Sequence, residues 1–340
     1  MKIDFVLPWV DGHDQEWQQK KSFYSEKNDN KSNLSFRFRD FDTLKYVFRS
    51  IEKNCSWYNK IYLITEGHIP GWLKLNEKIK IIKHQDLYIN KNDLPIFNSS
   101  SIEMNLCNID ALSEHFVYLN DDTIIFNKLE VDRFFRNGLP VDFLAHSIIP
   151  RKKLYGLIKG NDSWINSINN NIHLINQYYS PKEIEKKYLF EKTYSIKNKL
   201  NNFLLKYFLS KFIWFEHWHH PQAYNKTTLK NVFSIYKKQM LLCSKNKFRA
   251  SDDLTHYLYR YYHLVNNKFY PYKYNDGLVK NIDNKDVFYE LLTELKTKNI
   301  YNFICFNDSD LLSESDFLTI KKELTHFLNN HFQEKSSFEK

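Results

Sequence analysis

Two aspartates, Asp121 and Asp122, follow directly on the run HFVYLN of residues 115–120, and apolar residues resume at once. Carboxylates at the end of what reads as a buried strand are costly unless a cation or hydrogen bonds offset them. An adjacent pair can ligate a hard divalent cation, which takes oxygen ligands and often bridges phosphates. A turn or a helix cap is the other use of Asp-Asp, and both readings stay open on these residues alone. FEHWHHPQAY (215–224) carries His217, His219 and His220 in four positions. Imidazole acts as a general base or acid near neutral pH, and no H-E-x-x-H zinc spacing is present. Each of the three is equally readable as an ordinary core or surface histidine. FRASDD (248–253) sets Arg249 three residues before Asp252 and Asp253. A guanidinium fork suits phosphate, and the acids either pair with it or bind metal. A helix N-cap at Ser251 with acids in the first turn fits equally well. Gly is scarce, seven in all, and neither G-x-G-x-x-G nor the P-loop pattern occurs. G-x-S-x-G is absent as well, so a covalent hydrolase has no support.

These side chains need a scaffold that delivers them to one edge. IDFVLPWV (3–10), KIYLIT (60–65), KIKIIK (78–83) and HFVYLND (115–121) read as strands. DTLKYVFRSIEKN (42–54) spaces Leu44, Val47, Phe48 and Ile51 as one helical face, residues 14–27 are helix-compatible, and SSSIEMNLCNI (99–109) reads as a helix capped by a serine. Strands alternating with helices predict an α/β fold with a mainly parallel sheet flanked by helices. Ligands bind at the carboxyl ends of such strands, where Asp11 and the Asp121–Asp122 pair both fall. NFICFND (302–308) repeats the apolar-then-Asn-Asp pattern, HYLYRYYHLV (256–265) reads as a core helix, and residues 316–332 as a closing helix with Phe317, Ile320, Leu324, Phe327 and Leu328 on one face.

The 340 residues carry 49 basic and 40 acidic side chains, net +9, with 17% aromatics. Such aromatic content argues against disorder, and the charge suits an anionic partner or simply a lysine-rich surface. Cys55, Cys107, Cys243 and Cys305 are irregularly spaced, so neither a disulfide framework nor a zinc cluster is expected, and a reducing compartment is consistent. No signal-peptide stretch and no membrane-spanning run is evident. The expected location is cytoplasmic, with peripheral contact to the inner face of the cell membrane. That contact is assigned to residues 182–211, where Leu200, Phe203, Leu204, Phe208 and Phe212 share a helical face among many lysines. The alternative is an ordinary surface helix whose apolar face lies on the core. No nucleic-acid partner is expected.

Several segments together resemble the Stealth family, the bacterial hexose-1-phosphate transferases of polysaccharide synthesis, to which the animal lysosomal-enzyme GlcNAc-1-phosphotransferase is related. They are IDFVLPWVDGHDQEW (3–17), FRFRDFDTLKYVFRSIEKNCSWYNKIYLITEGHIPGWL (36–73), IKIIKHQDLY (79–88), LPIFNSSSIEMNLCNIDALSEHFVYLNDDTIIF (94–126), HHPQAY with FRASDD (219–253), and FICFND to SSFE (303–339). The resemblance implies a single catalytic domain over 1–340, Rossmann-like and GT-A-like, with a divergent helical insertion at 127–212. It implies transfer of hexose-1-phosphate from a nucleotide sugar, usually a UDP-hexose, to a hydroxyl of an acceptor glycan that is expected to be lipid-linked. A phosphodiester forms and UMP leaves. Asp11 and Gly12 are then expected in the donor pocket, and Asp121 and Asp122 on Mg²⁺ or Mn²⁺, Asp122 most directly. His219 becomes the general base and Arg249 the group that steadies the phosphoryl charge. Asp252 and Asp253 are further metal candidates. Asn98, Ser99, Glu103 and Asn307 are expected at the substrate, and Arg37, Arg39 and Arg49 at phosphates, Arg49 being equally a helix-surface charge. Pro8 departs from the small residue expected before W-V-D-G and raises the prospect of shifted strand pairing. The competing readings are an ordinary glycosyltransferase releasing UDP, and a basic non-catalytic protein binding membrane or nucleic acid.

Overall fold

The computed structural model describes residues 1–25, 39–151, 162–309 and 311–340. The four strands expected from the sequence are present: β1 (Ile3–Pro8), β2 (Ile61–Thr65), β3 (Ile79–Lys83) and β4 (His115–Tyr118). They are followed by β5 (Thr123–Ile125), β6 (Phe135–Arg136), β7 (Leu139–Asp142), β8 (Gln222–Asn225), β9 (Tyr270–Pro271), β10 (Gly277–Ile282) and β11 (Phe303–Asp308). The central sheet has the order β3-β2-β1-β4-β8. Its first four strands are parallel, and β8 closes the edge antiparallel to β4. Helices cover both faces, which is why β1 and β2 are continuous apolar runs. Asp4 interrupts β1 and is fully buried, but its carboxylate accepts from Asn59 Nδ2 and the Ser113 amide, each at 2.7 Å. Pro8 is the last residue of β1, opposite Ile64, and the Trp9 amide still donates to Ile64 O at 2.9 Å. The proline therefore leaves the pairing register intact.

β5 belongs to a second sheet, β10-β11-β5, in which it runs antiparallel to β11. Residues 119–122 thus cross from the central sheet to a neighbouring one. The third sheet is β6-β7-β9.

Alternation along β1 splits the interior in two. Val6, Ile64, Phe116 and Tyr118 pack with residues of the helices Asp162–Tyr178, Lys226–Ser244 and Tyr257–Val265. Phe5, Leu7, Leu63 and Val117 pack with Leu44, Val47, Phe48 and Ile51 of the helix Leu44–Asn54, and with Phe317, Ile320, Leu324 and Leu328 of Glu314–His331. Every residue of Tyr257–Val265 is buried. All four cysteines are free and buried.

One local expectation is corrected. The helix Ser99–Met104 is capped by Asn98, whose side chain accepts from the Ser100 amide, not by a serine. In the helix Ile196–Phe208 the inward residues are Asn198, Asn202 and Leu205, while Leu200, Phe203 and Phe208 are exposed. The inner face carries amides because backbone groups there need partners: Asn202 Nδ2 donates to the carbonyls of Leu144 and Leu189, and its Oδ1 accepts from the His146 amide. Phe212, beyond the helix, is buried.

Candidate active site

The crossing at Asn120-Asp121-Asp122 is held at both ends. Thr43 Oγ1 donates to Asp121 O at 2.8 Å, and the Phe306 amide to Asp122 O at 3.2 Å. With its backbone fixed, the crossing presents two half-buried carboxyl groups. Burial, and then the charges of Asp40 and Asp122, push the Asp121 carboxyl well above the usual range. Asp40 is itself raised by burial and by Asp42, although Trp9 Nε1 donates to it at 3.4 Å. Asp121 thus lies against the charges of Asp40 and Asp122, and a hard divalent ion is the partner that would offset such charge. Asp40 was not singled out in the sequence; its signal was its place inside FRFRDFD.

The three histidines have different fates. His217 is half-buried, hydrogen-bonded to Tyr261 Oη, and held well below the usual imidazole range by burial and then Arg260. His220 lies against Phe303 and is pushed down to about 4 by burial and then Arg133. Both are neutral at pH 7. His219 alone of the three is exposed, and its Nε2 lies 3.4 Å from Asn120 Nδ2. Ligand atoms of His219, Asp122 and Cys305 all lie within 4.8 Å of one another. Cys305, on β11 opposite Thr123, donates its thiol to Asp122 Oδ2 at 3.3 Å. Burial and then Asp122 push that thiol well up, so it is protonated. Its position in CFND was the only sequence hint, and the irregular spacing of the cysteines did not point to it.

A second cluster forms where the FNSS and FRASDD segments meet. Asn98 Nδ2 donates to both oxygens of Asp253, at 3.1 and 3.0 Å, and Asp253 also accepts from Asn246 Nδ2 and the Ala250 amide. Arg249 Nη2 donates to Ser99 Oγ at 3.0 Å. Unlike Arg39, Arg49, Arg133 and Arg260, Arg249 has no carboxylate partner among the described residues. Glu103 is buried; its oxygens accept from Tyr118 Oη at 3.1 Å and the His256 amide at 2.8 Å. Burial raises its carboxyl to about 7, partly countered by the His256 amide, Arg249 and Tyr118. Tyr118 ends β4 three residues before Asp121, and its ring lies 4.8 Å from that of His256. The two clusters therefore flank the carboxyl end of one strand.

Not every candidate sits where the sequence places it. Asp253 is 2% exposed and saturated by donors, which suits orientation rather than a metal, and Asn98 is spent on capping and on Asp253. Asp252 is exposed and accepts from Asn246. Residues 251–252 form a turn, and the next helix starts at Tyr257, so Ser251 caps no helix. Arg39 is occupied by both oxygens of Asp308 at 2.8 Å, by Glu314, and by the carbonyls of Ser309 and Leu312. Arg49 is buried and forks onto Glu339 at 2.7 Å, so it is neither a phosphate ligand nor a surface charge. Neither guanidinium is available to a substrate phosphate in this arrangement. Arg37 lies outside the described residues. Asp11 Oδ1 accepts from the His13 amide and Gly12 O from Gln18 Nε2, so the D-G turn is self-bonded at the sheet edge. Asn307 is two residues beyond Cys305 on β11, paired to Asn281 Oδ1 at 2.6 Å.

The conserved regions 1 and 2 of Stealth proteins match residues 1–29 and 37–141. The capsular polysaccharide phosphotransferase WcwK of Streptococcus pneumoniae is 37% identical over 100% of this chain and 98% of its own length. The exopolysaccharide phosphotransferase cps2G of Lactiplantibacillus plantarum is 34% identical over 99% of this chain and 96% of its own. The chain belongs to the Stealth family. This Stealth protein is accordingly a phosphotransferase enzyme. Region 1 contains Asp11; region 2 contains Asp40, Asn98, Ser99, Glu103 and both crossing aspartates, while His219, Arg249 and Cys305 lie outside both. Among solved structures, the galactosyltransferase LgtC overlaps 96% of this chain and 95% of its own at a TM-score of 0.42 and 9% identity, too loose a likeness to carry an argument.

Proposed function

We propose that this protein transfers hexose-1-phosphate from a nucleotide sugar, a UDP-hexose, to a hydroxyl of an acceptor glycan in capsular or exopolysaccharide synthesis. The observation that carries the reading is the exposed His219 beside the crossing carboxylates. The acceptor hydroxyl gives its proton to the His219 imidazole as its oxygen bonds to the phosphorus that bears the hexose. The bond from that phosphorus to the bridging oxygen breaks, and the bridging oxygen leaves with UMP. Arg249, positioned by Ser99 and unpaired with any carboxylate among the described residues, faces the anionic phosphoryl group. Preorganised positive charge of this kind is worth on the order of 3 kcal/mol. Asp122, with Asp121 and Asp40, would hold a divalent cation, Mg²⁺ or Mn²⁺, whose chemistry is to offset charge on the diphosphate. Asp11 and Gly12 would border the donor at the neighbouring strand end.

A second arrangement rests on the closeness of Asp122, His219 and Cys305. In it His219 is a metal ligand beside a thiolate, and a base must come from elsewhere. Cys305→Ser separates the two: it spares activity if His219 is the base, and lowers metal affinity together with activity if the three bind one ion.

The test is a panel of nucleotide sugars with Mg²⁺ and an acceptor. Release of UMP with a phosphodiester signal in phosphorus NMR is expected. Release of UDP would make the enzyme an ordinary glycosyltransferase and overturn the reading. His219→Ala and Asp122→Ala are each expected to remove transfer while leaving the fold intact.

A further inference from the structure

We infer that the outward face of the helix Ile196–Phe208 docks onto an anionic lipid surface. Ile196, Leu200, Phe203 and Tyr207 stand at i, i+4, i+7 and i+11, which places them on one stripe of the helix. They are 87%, 58%, 44% and 47% exposed, and Phe208 beside them is 71% exposed. The Phe203 ring lies 4.9 Å from that of Tyr207 and 6.0 Å from that of Phe208, so these three form one continuous patch at the end of the stripe. The inner face is fully employed: Leu205 packs in the core and the two asparagines beside it are hydrogen-bonded. Asn198 Nδ2 donates to Glu216 Oε1, its Oδ1 accepts from Lys273 Nζ, and Asn202 bonds the Leu144 and Leu189 carbonyls. A helix meant for water on its outer side has the opposite polarity, and contiguous exposed apolar surface of this kind marks a binding face.

The surrounding charge selects the occupant. The helix contains Lys197, Lys199 and Lys206 and no acidic residue. At 100° per residue, Lys199 and Lys206 border one edge of the stripe and Lys197 the other. Lys206 is anchored at that edge by the carbonyls of Lys182 and Ile184. Aromatic and aliphatic side chains rimmed by lysines match the boundary between acyl chains and anionic headgroups. A second copy fits worse. A two-fold contact through the same face would set lysines against lysines with no acid on the helix to pair them. No helix of the described residues is long and apolar enough to cross a membrane, so the contact is peripheral. Asn198 also holds Glu216, three residues before His219, so docking would seat the lipid surface behind the segment that carries the proposed base. Vesicle binding is read without turnover, and its failure would leave the transfer reaction untouched.

The experiment is cosedimentation of the full chain with phosphatidylcholine vesicles that contain or lack phosphatidylglycerol. Binding to the anionic vesicles alone is expected, falling as salt is raised. Leu200→Gln, Phe203→Gln and Tyr207→Gln combined are expected to weaken it about tenfold or more, with circular dichroism and melting unchanged because all three side chains are exposed. Lys197→Gln with Lys199→Gln is expected to remove much of the salt-sensitive part. No binding to anionic vesicles would overturn the inference, as would equal binding by the triple variant. So would a dimer that the triple variant dissociates, with no vesicle binding.

Discussion

The charges of Asp40 and Asp122 raise the cost of ionising Asp121, so removing one of them has opposite consequences with and without a cation. Without metal, Asp40→Asn relieves repulsion and is expected to stabilise the fold by about 1 kcal/mol. With Mg²⁺ or Mn²⁺, the wild-type chain gains stability by mass action, and the variant is expected to gain less. Thermal melting in chelator and across a metal titration checks both signs. A variant that is less stable in chelator and responds equally to metal would remove the carboxylates from the metal site. Glu103 provides a pH signature. Its carboxyl stands at about 7 in the fold against an ordinary value of 4.5, chiefly through burial. Between those values the folded chain keeps a proton that the unfolded chain has released, so stability contributed by the protonated form is full below 4.5 and is lost as pH rises through 7. The whole effect is on the order of 3 kcal/mol. Glu103→Gln keeps a neutral side chain and is expected to flatten that part of the slope in urea unfolding measured from pH 5 to 7.5. An unchanged slope would show that Glu103 is ionised throughout.

At the scale of elements, β7 and the helix Tyr257–Val265 are joined by a buried ionic knot. Asp142 accepts from Arg260 Nη2 at 2.8 Å and from His263 Nε2 at 2.8 Å, and Arg260 Nη1 reaches Glu216 O at 2.8 Å. Burial works against the Asp142 charge, but Arg260 and His263 prevail and hold it below the usual carboxylate range. Asp142→Asn leaves the buried guanidinium of Arg260 without its counter-charge, and a loss of about 3–5 kcal/mol is expected in denaturant unfolding. Because Arg260 also bonds Glu216 O in the segment leading to His219, activity is expected to fall with stability. The knot was invisible in the sequence, and so were the partners of Arg39 and Arg49, which lie 269 and 290 residues away. What the sequence did show was governed by local periodicity: the strands β1 to β4, the helix Leu44–Asn54, and the acidic end of β4. It missed β8, whose QAYN has neither length nor alternation and becomes a strand only by pairing with β4. It left the orientation of Ile196–Phe208 open between an outward apolar face and one on the core, because apolar periodicity marks a face without saying which way that face points. The histidines could be separated only by burial, which follows from contacts with Tyr261, Phe303 and Asn120 that spacing does not encode.

At the scale of the whole molecule, the question is whether the region 127–212 is a separable addition. Ile165, Ile168 and Ile172 from Asp162–Tyr178, and Leu189, Leu205 and Phe212 further on, are buried in the same cluster as Val6, Ile64 and Phe116 of the central sheet. Removing them would strip Asp162–Tyr178 from the helix Tyr257–Val265 and open the cluster that covers this face of the sheet. Each large apolar side chain in this face contributes about 1.5–3 kcal/mol by burial, so even a few of them amount to the usual net stability of a domain. The region is therefore expected to unfold together with the sheet. Far-ultraviolet and near-ultraviolet circular dichroism should give coincident urea transitions, and a chain lacking residues 152–212 should fail to fold. Two resolved transitions, or a folded truncated chain, would make the region an independent unit laid on a self-sufficient sheet. A single transition also bears on the chemistry. The His219 segment is bonded to this region through Asn198 and Glu216 and to the sheet through β8, so the proposed base keeps its place beside Asp122 only while both halves are assembled.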